Sequence, residues 1–287
     1  MKSSYNSKLI KFSTLNLTEL NATASYLKRI DTKFLLNWKQ FSDVLDDLKK
    51  DYQVLEIKGK KIFSYDNVYM DTDDYMFYNQ HQNKEAFRTK IRTRYYVDSN
   101  LAFFEFKQKK DWITSKYRYE FPGEEHGFMT KWKKRFFEWV WQSTYDWEKA
   151  PKITPAIRTT YKRITLVSKN SSERLTIDFD IKTLDLRWEN TSEVDLKNLV
   201  IIESKSLNTK CNSNKIMKKH KIKKATSCSK YSLGVVYSGL AKKFDTFKET
   251  MQQIKEIRLD TLKNRKRSTS NFKRNKIKVQ NKKDLVK

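Results

Sequence analysis

Three consecutive segments alternate charged and uncharged residues with a period of two, and the charged residues are of kinds that handle phosphate. Over 87–95, Arg88, Lys90, Arg92 and Arg94 share one face, while Phe87, Thr89, Ile91, Thr93 and Tyr95 share the other. Over 104–109, Glu105, Lys107 and Lys109 stand opposite Phe104 and Phe106. Over 116–121, Lys116, Arg118 and Glu120 stand opposite Tyr117, Tyr119 and Phe121. Side chains of a β-strand point alternately to its two faces, so each segment reads as a strand with one ionic and one aromatic side. Arginine recurs where lysine would suffice for solubility, and its planar fork matches the oxygens of a phosphate. The carboxylates on the same faces add a second capacity. Hard oxygen ligands hold Mg²⁺ or Mn²⁺ against a phosphate chain, while cations neutralise the charge that spreads over a transferred phosphoryl group.

These strands need neighbours and a cover. Further strands read over 26–36, 61–71, 156–167, 173–181 and 198–205. The fourth of these sets Arg174, Thr176, Asp178 and Asp180 opposite Leu175, Ile177 and Phe179, and the fifth ends in Glu203 and Lys205. Asn37 is placed to cap a helix whose apolar stripe is Trp38, Phe41, Val44, Leu45 and Leu48. Helical patterns also occur over 73–82, roughly 126–143 and near 233–257, and these can cover the aromatic face. The ionic faces then have two fates. They face water, or the sheet curls so that they line an interior, as in barrels wide enough to hold a ligand. The repeated arginines among carboxylates favour the curl.

Composition sets the outer limits. The chain has 287 residues, 38% hydrophobic and 14% aromatic, enough for a sizeable core, and five Gly and three Pro leave little for linkers. The expected organisation is an N-terminal extension over 1–25, one catalytic domain over 26–257 and a basic, disordered tail over 258–287. Lys and Arg number 61 against 34 Asp and Glu, a net +27 that calls for an anionic partner. A nucleic-acid clamp has little use for carboxylates set among its arginines, which argues against nucleic acid as that partner. Cys211 and Cys228 lack zinc spacing and are expected to be inert. Residues 1–25 lack an apolar signal core and no stretch approaches 18 apolar residues, so the expected place is the cytoplasm, with the inner face of a membrane open to it.

In order along the chain, several pieces resemble the VTC domain, a branch of the triphosphate tunnel (CYTH-like) superfamily. They are Arg29-Ile30-Asp31-Thr32-Lys33-Phe34, Val68-Tyr69-Met70-Asp71-Thr72, His81, Arg88 to Tyr95, Glu105-Phe106-Lys107, Lys116 with Arg118, Tyr161-Lys162-Arg163, Arg174 to Asp178, Ile202-Glu203-Ser204-Lys205 and Ser229-Lys230-Tyr231. The resemblance implies an α+β fold, an antiparallel eight-stranded β-barrel tunnel with flanking helices. It implies a polyphosphate polymerase that passes the terminal phosphate of ATP to a growing polyphosphate chain with Mn²⁺ or Mg²⁺. Lys33, Arg92, Arg94, Lys107, Arg163, Arg174 and Lys230 would carry the transfer. Arg88, Lys90, Lys116, Arg118, Lys205 and Ser229 would bind substrate, and Glu203 with Glu105 would hold the metal. Asp71 and Thr72 are expected to end a strand and cap a helix, and His81 to serve a structural hydrogen bond. A separately encoded membrane subunit is the expected partner. A tunnel triphosphatase uses nearly the same residues, and a non-catalytic polyphosphate or RNA sensor is the alternative outside the enzymes.

Overall fold

Alternation allows one sheet to be apolar outside and ionic within, and the computed structural model, which describes residues 2–23, 30–110, 113–145 and 148–259, has that form. The strands are β1 (Thr14–Leu15), β2 (Ile30–Leu36), β3 (Tyr52–Leu55), β4 (Phe63–Asp71), β5 (Phe87–Tyr96), β6 (Leu101–Lys110), β7 (Ile113–Phe121), β8 (Thr154–Ser168), β9 (Glu173–Asp185), β10 (Val194–Asp195) and β11 (Val200–Ser206). Eight of them run in the order β2-β11-β9-β8-β4-β5-β6-β7, every neighbouring pair antiparallel. This is the α+β, eight-stranded antiparallel architecture expected, curled into a half-barrel. Among the described residues its margins, β2 and β7, are not hydrogen-bonded to each other. The outer edge of β2 instead receives the segment at Lys224, with the Ala225 N–H donating to the Lys33 carbonyl at 2.8 Å.

Helices cover the apolar side. On one half, α1 (Lys2–Leu9), α3 (Trp38–Leu48) and α6 (Asn212–Lys219) close a core that includes Phe34, Leu36, Leu166, Leu175, Ile177 and Val200; α2 (Leu17–Thr23) lies beside it, with Leu20 packed near Leu55 and Val167. Phe41, Val44, Leu45 and Leu48 are fully buried, each contributing about 1.5–3 kcal/mol by leaving water. α3 starts where expected: the Asn37 carboxamide accepts the Gln40 N–H at 2.8 Å, and Gln40 reaches back to the Asn37 N–H at 3.0 Å. On the other half, α4 (Met76–Gln82) and α5 (Lys131–Thr144) cover Val68, Met70, Ile91, Phe104 and Phe106. Asp71 ends β4 and accepts the N–H groups of Phe77 and Tyr78, so it starts α4 as expected.

Four features depart from the sequence reading. The 126–143 helix begins only at Lys131, because a 3₁₀ turn over Gly123–Glu125 precedes it and Lys133 ties the carbonyls of Glu125 and Phe128. The single helix near 233–257 is two, α7 (Lys230–Tyr237) and α8 (248–259), since Gly239 takes φ +74°, which ends α7. Asp180 does not share a face with Asp178. A register shift opposite Thr160 and Lys162, with Asp180 itself at φ +50°, turns it to the outer side, where it pairs with Lys162 at 3.5 Å. The first residues are more than an extension, since Leu9, Phe12, Leu15 and Leu20 are buried against the domain. The part of the first strand before Ile30, and the tail from 260, lie outside the described residues.

Candidate functional site

The curl brings the ionic faces of distant strands together. On the β5–β7 side the registers set Arg92 opposite Glu105 and Glu105 opposite Arg118, with Lys90 opposite Lys107 and Lys107 opposite Lys116. Arg88 lies opposite Lys109. On the other side Glu203 sits between Lys33 and Thr176, and Lys205 between Asp31 and Arg174. Arg163 lies opposite Asp178. The two sides meet across the interior, for Lys107 on β6 feels Lys205, Asp31, Glu203 and Lys33 on the opposite strands. Every residue named from the sequence as a site candidate therefore lies on the inner face or, for Ser229 and Lys230, at the start of the helix that closes one end of it.

That helix, α7, crosses the inner face near Ile157. Ser229 caps it, and the Lys90 ammonium donates to the Ser229 hydroxyl at 2.9 Å. Lys230 donates to Asp178 and lies 4.4 Å from the Tyr161 ring centre. Tyr231 stacks on Tyr69 and donates to the buried Asp71 carboxylate. The close approach needs Gly234, where an added Cβ would fall 2.4 Å from Ile157 Cγ2 and 2.6 Å from Thr183 Oγ1. Gly234→Ala is therefore expected to push α7 outward, cost about 1–3 kcal/mol and shift Ser229 and Lys230 away from the inner face. A urea midpoint together with a tripolyphosphate affinity checks this. Unchanged affinity would show that α7 does not position the site.

The carboxylates organise the cations. Glu105 is 2% exposed and takes Arg92 at 2.6 Å, Lys116 at 2.6 Å and Arg94 at 3.7 Å. Burial alone would push its pKa up, but these three cations hold it far below the usual range. Arg94 also donates to Asn67, and Arg118 lies 3.7 Å from the Phe103 ring centre. Glu203 takes Lys33 at 2.7 Å and Lys205 at 3.4 Å; despite burial, Lys33 and Lys205 keep it ionised well below the ordinary carboxylate range. Arg163 grips Asp178 with two bonds of 2.6 and 2.8 Å. Among the described residues Lys90 pairs with no carboxylate, and burial, with Lys107, Lys33 and Arg92, brings its pKa down to about 7.

A divalent ion fits this donor set only as a shared ligand. Among the described residues no group of three His, Cys, Asp or Glu side chains could cage one. Glu203 offers an ionised carboxylate, and Mg²⁺ or Mn²⁺ needs only one or two of these when phosphate oxygens complete its shell. Glu105, enclosed by three cations, has its charge already matched. Two neighbours of this face were not legible as such. Cys228 lies beside Lys230 and Lys33, its thiol pKa raised by burial, and only long-range packing puts it there. His81, on α4, has an Nε2 without a hydrogen-bond partner among the described residues and lines a cleft with Lys84, Arg88, Asp245 and Glu249. It stays neutral, because burial and the nearby Lys90 and Arg88 lower its pKa to about 2.

The sequence profile of the VTC domain matches residues 28–238. The chain belongs to the VTC domain family. A VTC domain with this curled, cation-lined sheet is a tunnel domain for phosphoryl chemistry. No curated protein matches this VTC domain. Among solved structures it is similar to a candidate adenylate cyclase from Bacillus halodurans, at 13% identity and TM-score 0.42, over 71% of this chain and 96% of that one. It is also similar to a Hippeastrum candidate adenylyl cyclase described as having a dominant triphosphatase activity, at 13% identity and TM-score 0.43, over 76% and 99% of the two chains. A Pyrococcus horikoshii protein matches at 13% identity and TM-score 0.41, over 73% and 99%.

Proposed function

We propose that this VTC domain is a polyphosphate polymerase, moving the terminal phosphate of ATP onto the end of a polyphosphate chain. The observation that carries the reading is Glu203, an ionised carboxylate set between Lys33 and Lys205 on a face otherwise rich in cations. A face that only bound polyanions would gain from a neutral residue there. Arg92, Arg94, Lys107, Arg163, Arg174 and Lys230 hold the transferred group and its neighbours, with Arg88, Lys90, Lys116, Arg118, Lys205 and Ser229 along the bound chain. A terminal oxygen of the chain forms the new P–O bond as the bond to ADP breaks, so no phosphoryl group need rest on the protein. Mg²⁺ or Mn²⁺, held by Glu203 and the phosphate oxygens, would add charge neutralisation there. Lys33 keeps Glu203 oriented until substrate arrives, and the arginines of the Glu105 cluster are fixed before it does. In this reading the domain works on the cytoplasmic side of a membrane, beside a separately encoded membrane subunit. Among the described residues no helix is long and apolar enough to cross a membrane.

Incubation of purified protein with ATP and Mn²⁺, with products resolved on a gel stained for polyphosphate, tests the reading. Long metal-dependent chains support it. Release of free phosphate without chains would make water the acceptor and the protein a triphosphatase, and binding without turnover would make it a sensor.

Lys90 gives a pH signature. Its pKa of about 7 means that the free ammonium is half-charged near neutrality, and a bound phosphate chain must draw the proton back. Tripolyphosphate binding is expected to weaken as pH rises through 7 and to take up close to one proton at pH 8. Calorimetry in buffers of different ionisation enthalpy measures that uptake, and Lys90→Met should remove it.

A further inference from the structure

The outer side of α5 carries large aromatic residues that nothing among the described residues covers. Trp132 and Trp139 are 62% and 57% exposed, and Phe128, just before the helix, is 66% exposed. The two tryptophans are seven residues apart, two turns or about 10 Å along one stripe. The stripe continues onto the edge strand, where Trp139 meets Tyr117 edge-on and Phe136 packs on Tyr119, itself 38% exposed. Single exposed aromatics are ordinary on a protein surface, but a contiguous row is not.

The charges beside the row indicate what covers it. Lys131, Lys134 and Arg135 are exposed on α5, and the Arg135 guanidinium lies 5.2 Å from the Trp132 ring centre. The opposing charge beside them on the helix is the half-buried Glu138, 3.9 Å from Lys134. Tryptophan interleaved with Lys and Arg suits the headgroup layer of a bilayer, where the indole is half in lipid and the cations meet phosphate. The row also lies on the far side of the sheet from the cationic inner face, because α5 packs on Phe104, Phe106 and Phe121 while Glu105 and Lys107 point the other way. A surface seated here leaves the tunnel open.

We propose that α5 is a membrane-docking surface whose partner is an anionic lipid bilayer, with Trp132 and Trp139 inserted among the headgroups and Lys131, Lys134 and Arg135 against the lipid phosphates. It rests on exposure and charge alone and is independent of the polymerase reading.

The test uses the full chain, the double variant Trp132→Ala/Trp139→Ala and the triple variant Lys131→Glu/Lys134→Glu/Arg135→Glu. Each is mixed with phosphatidylcholine vesicles with or without phosphatidylserine. Sedimentation gives the partition, and quenching of tryptophan by bromine-labelled lipid gives insertion. The wild type should bind the anionic vesicles and be quenched. Each variant should partition about tenfold or more weakly, with tripolyphosphate affinity unchanged as proof of folding. Quenching equal in the double variant and the wild type would overturn the proposal, since binding would then run through another basic region. So would absence of binding to either vesicle, or a wild-type dimer that the double variant dissolves, which would make the row a contact between copies.

Discussion

Glu203→Gln is expected to lower metal-dependent turnover of ATP by at least about a hundredfold, the scale on which removing one preorganised electrostatic group acts. The substitution keeps the shape of a side chain that is 20% exposed and removes only its charge. Lys33 then lacks its paired carboxylate and Lys205 keeps only Asp31 at 2.9 Å, so ATP should bind as well as before or better while its terminal phosphate is no longer passed on. Turnover measured across Mn²⁺ concentrations separates the roles. If the loss is restored by more metal, Glu203 is a ligand whose affinity has fallen. If it persists at saturation, Glu203 acts on the transfer itself. Full activity would remove Glu203 from the mechanism and leave the family assignment untouched.

The second large effect is on stability. Asp178 is 3% exposed and is the shared counter-charge of Arg163 and Lys230. Asp178→Ala strands two cations in the interior and should cost about 3–5 kcal/mol, read as a fall in urea midpoint at constant slope. Burial would raise the Asp178 pKa, but Arg163 and Lys230 lower it below 3.8. A carboxyl that is more acidic folded than unfolded stabilises fully above its unfolded pKa and loses that contribution as pH falls through the folded one. The wild type should therefore lose stability steeply below pH 4, and the variant should lose less over the same range. Tripolyphosphate should also raise the melting temperature of the variant more than that of the wild type, because phosphate oxygens replace the missing carboxylate. Equal shifts would mean that Arg163 and Lys230 do not reach the bound anion.

Much of the inner face was legible because it is written locally. From Arg88 to Arg94 each residue's side of the sheet follows from its parity, and pairing with β6 and β7 carries that parity across. The start of α3 was legible for the same reason, since Asn37 and Gln40 are three residues apart. What escaped depends on residues remote in sequence. The lysine at 230 reads as a phosphate ligand, yet its bond to Asp178 spans 52 residues. Asp180 broke the parity rule because a bulge is set by the partner strand as well as by its own residues. β3 is four residues long, too short for a periodic signal, and Leu9 and Phe12 acquire a core only when α3 lies over them. Glu105 and Glu203 look alike on paper. One is surrounded by three cations and the other by two lysines on a more open margin, a difference that exists only once the sheet has curled.

The unjoined margins at β2 and β7 matter for a polymer in a way they would not for a small molecule. The bore of a sealed cylinder is fixed by its strand number and stagger, and a long chain can enter or leave one only by sliding through lengthwise. Here the outer edge of β2 carries the backbone at Lys224 and Ala225, and among the described residues no ladder joins β2 to β7. On the proposed polymerase reading, a strand of phosphates entering between β7 and the segment at Lys224 would be spared complete threading from one end.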